Sequence, residues 1–207
     1  MTKRKILAGL CLVLTGTVIT LISAAASVSA GEKEIEDVFG IFEGHYLFTS
    51  GAGGWATEME ISGDGTFYGE FHDSDMGASG EGYDSTLYYS KFSGTFTNPQ
   101  KVNAYTYSFE LDSIQYENIP DSEEIKTEGS DRIRVVYSEV YGLEPGLIYA
   151  YTASAPVSTL PEGLMSWINM LLGEESNDKE ILSANSLFVV EPEYGWIEHQ
   201  PTGYWSN

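Results

Sequence analysis

From Trp55 to Phe71 the chain changes character at every step. Trp55, Thr57, Met59 and Ile61 fall on one parity, and Ala56, Glu58, Glu60 and Ser62 on the other. Side chains alternate across an extended strand, so this pattern describes a strand with one dry and one wet face. Ser62-Gly63-Asp64-Gly65 follows, the chemistry of a tight hairpin turn. The alternation then resumes, with Phe67, Gly69 and Phe71 on one side. Thr57–His72 therefore reads as a β-hairpin, and Trp55 is expected to be largely buried with Met59 and Ile61. An isolated hairpin is marginal in water, so more strands must cover its apolar face.

The chain supplies them. Period-two or apolar runs recur at His45–Ser50, Thr86–Thr97, Ala104–Tyr116, Asp131–Ser138, Gly146–Thr152 and Ser186–Glu191, for eight strands in all. Asn98-Pro99-Gln100-Lys101 reads as a turn, and Pro120 to Gly129 as a polar, acidic loop. One segment changes period: Leu164, Trp167, Ile168 and Leu171 sit at i, i+3, i+4 and i+7, a helical stripe. Pro161 suits the first turn of that helix and Gly173 its stop, predicting a helix over Pro161–Leu172 whose apolar face packs on the core. Seven strands, a helix and a last strand suit an all-β, closed antiparallel barrel, because closure removes exposed sheet edges.

The stretch Gly44-His45-Tyr46-Leu47-Phe48, with a late helix before a final strand, resembles the calycin group, the lipocalin-like barrels; Tyr46 stands where that family carries Trp. The longer run Gly53-Gly54-Trp55-Ala56-Thr57-Glu58-Met59-Glu60-Ile61, continuing through Gly63-Asp64-Gly65-Thr66-Phe67 to His72-Asp73-Ser74-Asp75-Met76-Gly77, is similar to uncharacterised secreted proteins and lipoproteins of Gram-positive bacteria. These resemblances imply a fold and a compartment and carry no established activity.

The N-terminus points the same way. Lys3, Arg4 and Lys5 precede an apolar run ending in Val28-Ser29-Ala30, the pattern of a secretory signal peptide cleaved between Ala30 and Gly31. The run is also long enough to span a bilayer, so a retained anchor is the alternative. Cys11, the single cysteine, follows Leu10 rather than a small residue and reads as part of the apolar run, not as a lipidation site. Residues 1–30 are thus a signal peptide, 31–43 a leader and 44–207 the barrel domain. Cleavage removes three of ten basic residues and none of the 31 acidic ones. A formal charge of −21 argues against nucleic acid, whose phosphates need clustered Lys and Arg. The expected product is a secreted or cell-wall-associated monomer, off the membrane once cleaved.

Chemical motifs are sparse. Gly51-Ala52-Gly53-Gly54-Trp55-Ala56 has the spacing of a dinucleotide fingerprint, but a strand follows where a helix N-terminus is required. His72-Asp73-Ser74 has triad residue types at contiguous positions, which point to opposite faces of a strand. Gly77-Ala78-Ser79-Gly80 is no nucleophile elbow, and His45, His72 and His199 are far apart in sequence. The best candidate is acidic: Asp73, Asp75 and Asp84 fall at positions 1, 3 and 12 of an EF-hand-like loop, a candidate calcium set, although position 6 is Ala78 rather than Gly and flanking helices are absent. The alternative is a solvated acidic turn, with no cofactor at all.

Three functional classes follow. The first is a binding module for a small or apolar ligand, or for a cell-envelope component, with no catalytic residues. The second is a secreted hydrolase using acidic residues. The third is a structural envelope protein without a small ligand. A hollow apolar interior favours the first, paired carboxylates in a cleft the second, and a filled barrel with a flat surface the third.

Overall fold

The computed structural model describes residues 38–51, 53–173, 176 and 178–200. The expected signal segment with Cys11 and the expected cleavage site lie outside the described residues. Among the described residues ten strands form: β1 Gly44–Thr49, β2 Trp55–Ile61, β3 Thr66–Asp75, β4 Ser85–Lys101, β5 Thr106–Tyr116, β6 Glu123–Glu128, β7 Asp131–Tyr137, β8 Gly146–Tyr151, β9 Ser186–Val189 and β10 Tyr194–Glu198. One long helix, α1 (Glu162–Leu172), lies between β8 and β9.

Eight strands close a barrel. The ring runs β1-β2-β3-β4-β5-β8-β9-β10 and returns from β10 to β1, every pair antiparallel. Read along the chain this is an up-and-down barrel interrupted by one insertion, the β6–β7 hairpin. The 17-residue β4 explains the insertion: its second half pairs with β5, while its first half, Ser85–Tyr89, pairs in parallel with Ile133–Tyr137 of β7. The hairpin therefore extends the sheet past the point where β5 ends.

The strand count in the barrel is as the alternation implied, but its membership differs. Asp131–Ser138 is a strand outside the ring, and its place is taken by β10, a short run behind the turn at 190–193. Pro120–Gly129 is not simply a loop, since it contains β6; all six residues of β6 are exposed, so no inward period marks it. Asn98–Lys101 is not a turn either. It lies within β4 across a register shift, with Asn98 at φ 50°, and such a bulge lets a strand hold proline. The reversal comes at Asn103, whose carboxamide oxygen accepts the amides of Tyr105 and Thr106 at 3.0 and 2.9 Å.

Buried side chains from all eight ring strands meet in one cluster that includes Tyr46, Phe48, Met59, Phe67, Phe92, Phe109, Ile148, Leu187 and Trp196. An eight-stranded barrel is just wide enough for side chains to fill it or to hold one small ligand. Here rings cross it: Phe67 lies 4.6 Å from Phe96, and Phe96 5.8 Å from Phe109. Two glycines make that possible. Gly69 pairs with Phe92 and Gly94 with Phe67, and a Cβ on either would stand about 2.5 Å from the ring opposite. Residues 38–42, the end of the leader, form a helical turn whose Val38, Phe39 and Phe42 join the same core. Helix α1 packs outside the barrel, with Leu164 and Ile168 in a second cluster against Phe188 and Ile197. Its stripe is a packing face, as its spacing implied.

Candidate functional site

Two surfaces qualify, the aromatic mouth of the barrel and a groove on its outer wall. At the mouth, Phe48 is the hub, with ring centroids of Trp55, Tyr141, Trp167, Tyr194 and Trp196 at 4.6–5.5 Å. The β7–β8 loop crosses it. Thr57 donates its hydroxyl to the Tyr141 carbonyl at 2.6 Å, Trp196 donates its indole N–H to Gly142 at 2.7 Å, and the Val140 amide donates to the Tyr116 hydroxyl at 3.3 Å. Gly142, at φ 100°, lies so close to Phe48 that a Cβ would stand 2.1 Å from the ring. This end is strapped shut by three anchors from three strands.

Trp55 belongs to this cluster. It packs against the core without joining the fully buried residues, because it is the first residue of β2 and pairs with Asp73 near the end of the ladder. The period gave its face correctly and could not give its depth.

The outer wall is different in kind. The parity that sends Phe67, Gly69 and Phe71 inward sends Tyr68, Glu70 and His72 outward, and pairing aligns them with neighbours in rows. One row is His45, Glu60, Tyr68 and Ser93; the next is Glu58, Glu70 and Lys91. Glu60 takes a hydrogen bond from the Tyr68 hydroxyl and sits 3.5 Å from His45 Nε2. Glu70 is 3.2 Å from Lys91 Nζ. Burial first, then Glu70, push the Tyr89 phenol well above its usual range. His72 is held below its ordinary value by burial, which outweighs the opposing pull of Glu58, Asp73 and Glu70.

Where β5 leaves β4, these rows border a groove of about 540 Å³ whose lining includes Tyr68, Glu70, Lys91, Ser93, Gln115 and Glu117, with Phe92 among its apolar members. It falls within the range of about 300–1,000 Å³ typical of small-molecule sites.

No family model, curated protein or solved structure matches this chain.

Two of the calcium candidates accept backbone hydrogen bonds. Asp75 accepts the amides of Gly77 and Ala78 at 2.9 and 3.1 Å, closing the turn after β3. Asp84 accepts the Arg132 amide at 2.8 Å while its own amide donates to the Arg132 carbonyl at 2.7 Å, which starts the β4–β7 ladder. Asp73 lies on the inward parity of β3 opposite Trp55 and Tyr88. Among the described residues no three His, Cys, Asp or Glu are grouped to hold a metal ion, these included. Nor is any described helix long and apolar enough to cross a membrane. The groove residues were missed in sequence because their signal is a row across strands β3, β4 and β5, spread from residue 68 to residue 117. Only the outward parity of Tyr68 and Glu70 was legible.

Proposed function

We propose that this is a secreted or cell-surface binding module on a calycin-like barrel, and that it takes its ligand in the outer groove rather than in the barrel interior. The groove carries this reading: it is a concave, solvent-reached surface, whereas aromatic rings cross the interior and a strapped loop crosses the mouth. The lining is also pre-organised, since Glu70 is held by Lys91, and Tyr68 by Glu60. Groups fixed before binding lose less freedom on binding. The up-and-down order and the helix before the last strands support the calycin likeness, and the N-terminal pattern supports export. The reading needs no resident metal.

A hydrolase is the second reading, favoured by two carboxylates, Glu70 and Glu117, on one groove. The ion pair of Glu70 with Lys91 suits a fixed acceptor better than a group that must exchange protons.

The test is a screen of small polar fragments against the isotopically labelled protein. Amide shifts are expected to cluster at residues 68–70, 91–93 and 115–117. Shifts clustered instead at Trp55, Tyr141, Trp167 and Tyr194 would move the site to the mouth. No localised shift at all would leave a structural protein without a small ligand.

A further inference from the structure

We infer that the groove's ligand is a neutral, hydroxyl-rich saccharide chain, an inference that rests on the groove being the binding site. A sugar ring presents an apolar C–H face and a rim of hydroxyls, each both donor and acceptor. The groove offers a counterpart to each part. Tyr68 is 58% exposed, a large aromatic face turned to solvent, and its hydroxyl is tied to Glu60 so that the ring is held in place. Aromatic faces of this kind combine an apolar body with a polar tip. Around it, Glu70 and Glu117 present carboxylate acceptors, Lys91 donates, and Ser93 and Gln115 do both. Donors and acceptors on three adjacent strands cover roughly 10 Å, enough for more than one ring.

The alternatives fit less well. An anion meets two carboxylates and a single ammonium, and that ammonium already faces Glu70 at 3.2 Å. A purely apolar ligand would strip water from Glu70, Lys91, Ser93, Gln115 and Glu117 and return no hydrogen bonds. A bare metal ion lacks a grouped set of ligands among the described residues.

The experiment titrates the labelled protein with cellohexaose, xylohexaose, maltohexaose and chitohexaose, and with oligogalacturonate as the anionic counterpart. At least one neutral chain is expected to shift amides at 68–70, 91–93 and 115–117. Tyr68→Ala should then weaken that binding at least about tenfold, the loss typical of an aromatic anchor. Glu70→Gln, which keeps the shape and removes the charge, should weaken it less. Tyr68 is exposed, so the variant is expected to melt with the wild type, and a melting curve checks this. Oligogalacturonate binding as tightly as the neutral chains overturns the inference, as does a neutral chain that binds unaffected by Tyr68→Ala. If no saccharide binds while polar fragments still shift the groove, the ligand class is wrong and the binding site stands. If neither moves these amides, both readings fall.

Discussion

The inner and outer rows of β3 are one residue apart in sequence and do opposite work. Phe67, Gly69 and Phe71 face a core in which even an added methyl has no room; Tyr68, Glu70 and His72 face outward, and Tyr68 and Glu70 are each engaged with a neighbour on an adjacent strand. The inner row answers to volume, and the outer row to charge and hydrogen bonding. A residue of the inner row should therefore govern stability and leave recognition to the outer row. The outer row should do the reverse, because an exposed ion pair contributes only about 0–1 kcal/mol.

The largest effect should come from the interior. Trp196 is fully buried and its indole anchors the strap at Gly142, so Trp196→Ala should cost about 3–5 kcal/mol in denaturant unfolding. A loss under about 1 kcal/mol would mean that the interior is slack and the comparison false. Gly69→Val should follow, at about 1–3 kcal/mol, because the new side chain meets the Phe92 ring and the Glu58 carbonyl. Half-buried Trp55 is expected to cost about 1–3 kcal/mol as Trp55→Ala.

The pH profile separates the rows in another way. Burial raises the phenol of Tyr46 above its ordinary 10.0 and that of Tyr151 to about 12, so above pH 10 the unfolded chain ionises first. The stability these phenols contribute is intact below pH 10 and falls as the pH rises from there. Tyr46→Phe should flatten that alkaline fall, while losing the 3.0 Å hydrogen bond to the Phe42 carbonyl. His72 has the opposite sign. Its pKa is below 6.5 in the fold, so the unfolded chain takes up the proton first, and stability falls as the pH drops below about 6.5. His72→Gln should soften that acid limb alone. A melting series from pH 5 to pH 11 reads both. Smallest of all should be the stability change for Lys91→Ala, within about 1 kcal/mol, together with weakened binding in the groove. A large loss of stability without any effect on binding would reverse the roles of the rows.

Much of the barrel was legible because its signal is local. Alternation over Trp55–Ile61, the Gly-Asp turn and the stripe Leu164, Trp167, Ile168 and Leu171 each lie within a dozen residues, and each formed as read. The misreadings share a cause. β6 has no buried face, and the bulge at Asn98-Pro99 imitates a turn.

By itself the sequence determined the period, and with it the closed antiparallel class, the inward faces and the packing helix, since these depend on which way neighbouring side chains point. Tertiary structure decided which strands close the ring, how deep Trp55 sits, and which outward residues meet. The last of these makes the groove. Tyr68, Lys91 and Gln115 become neighbours only when β3, β4 and β5 are paired in one register, and a shift of one residue would send every one of them into the core.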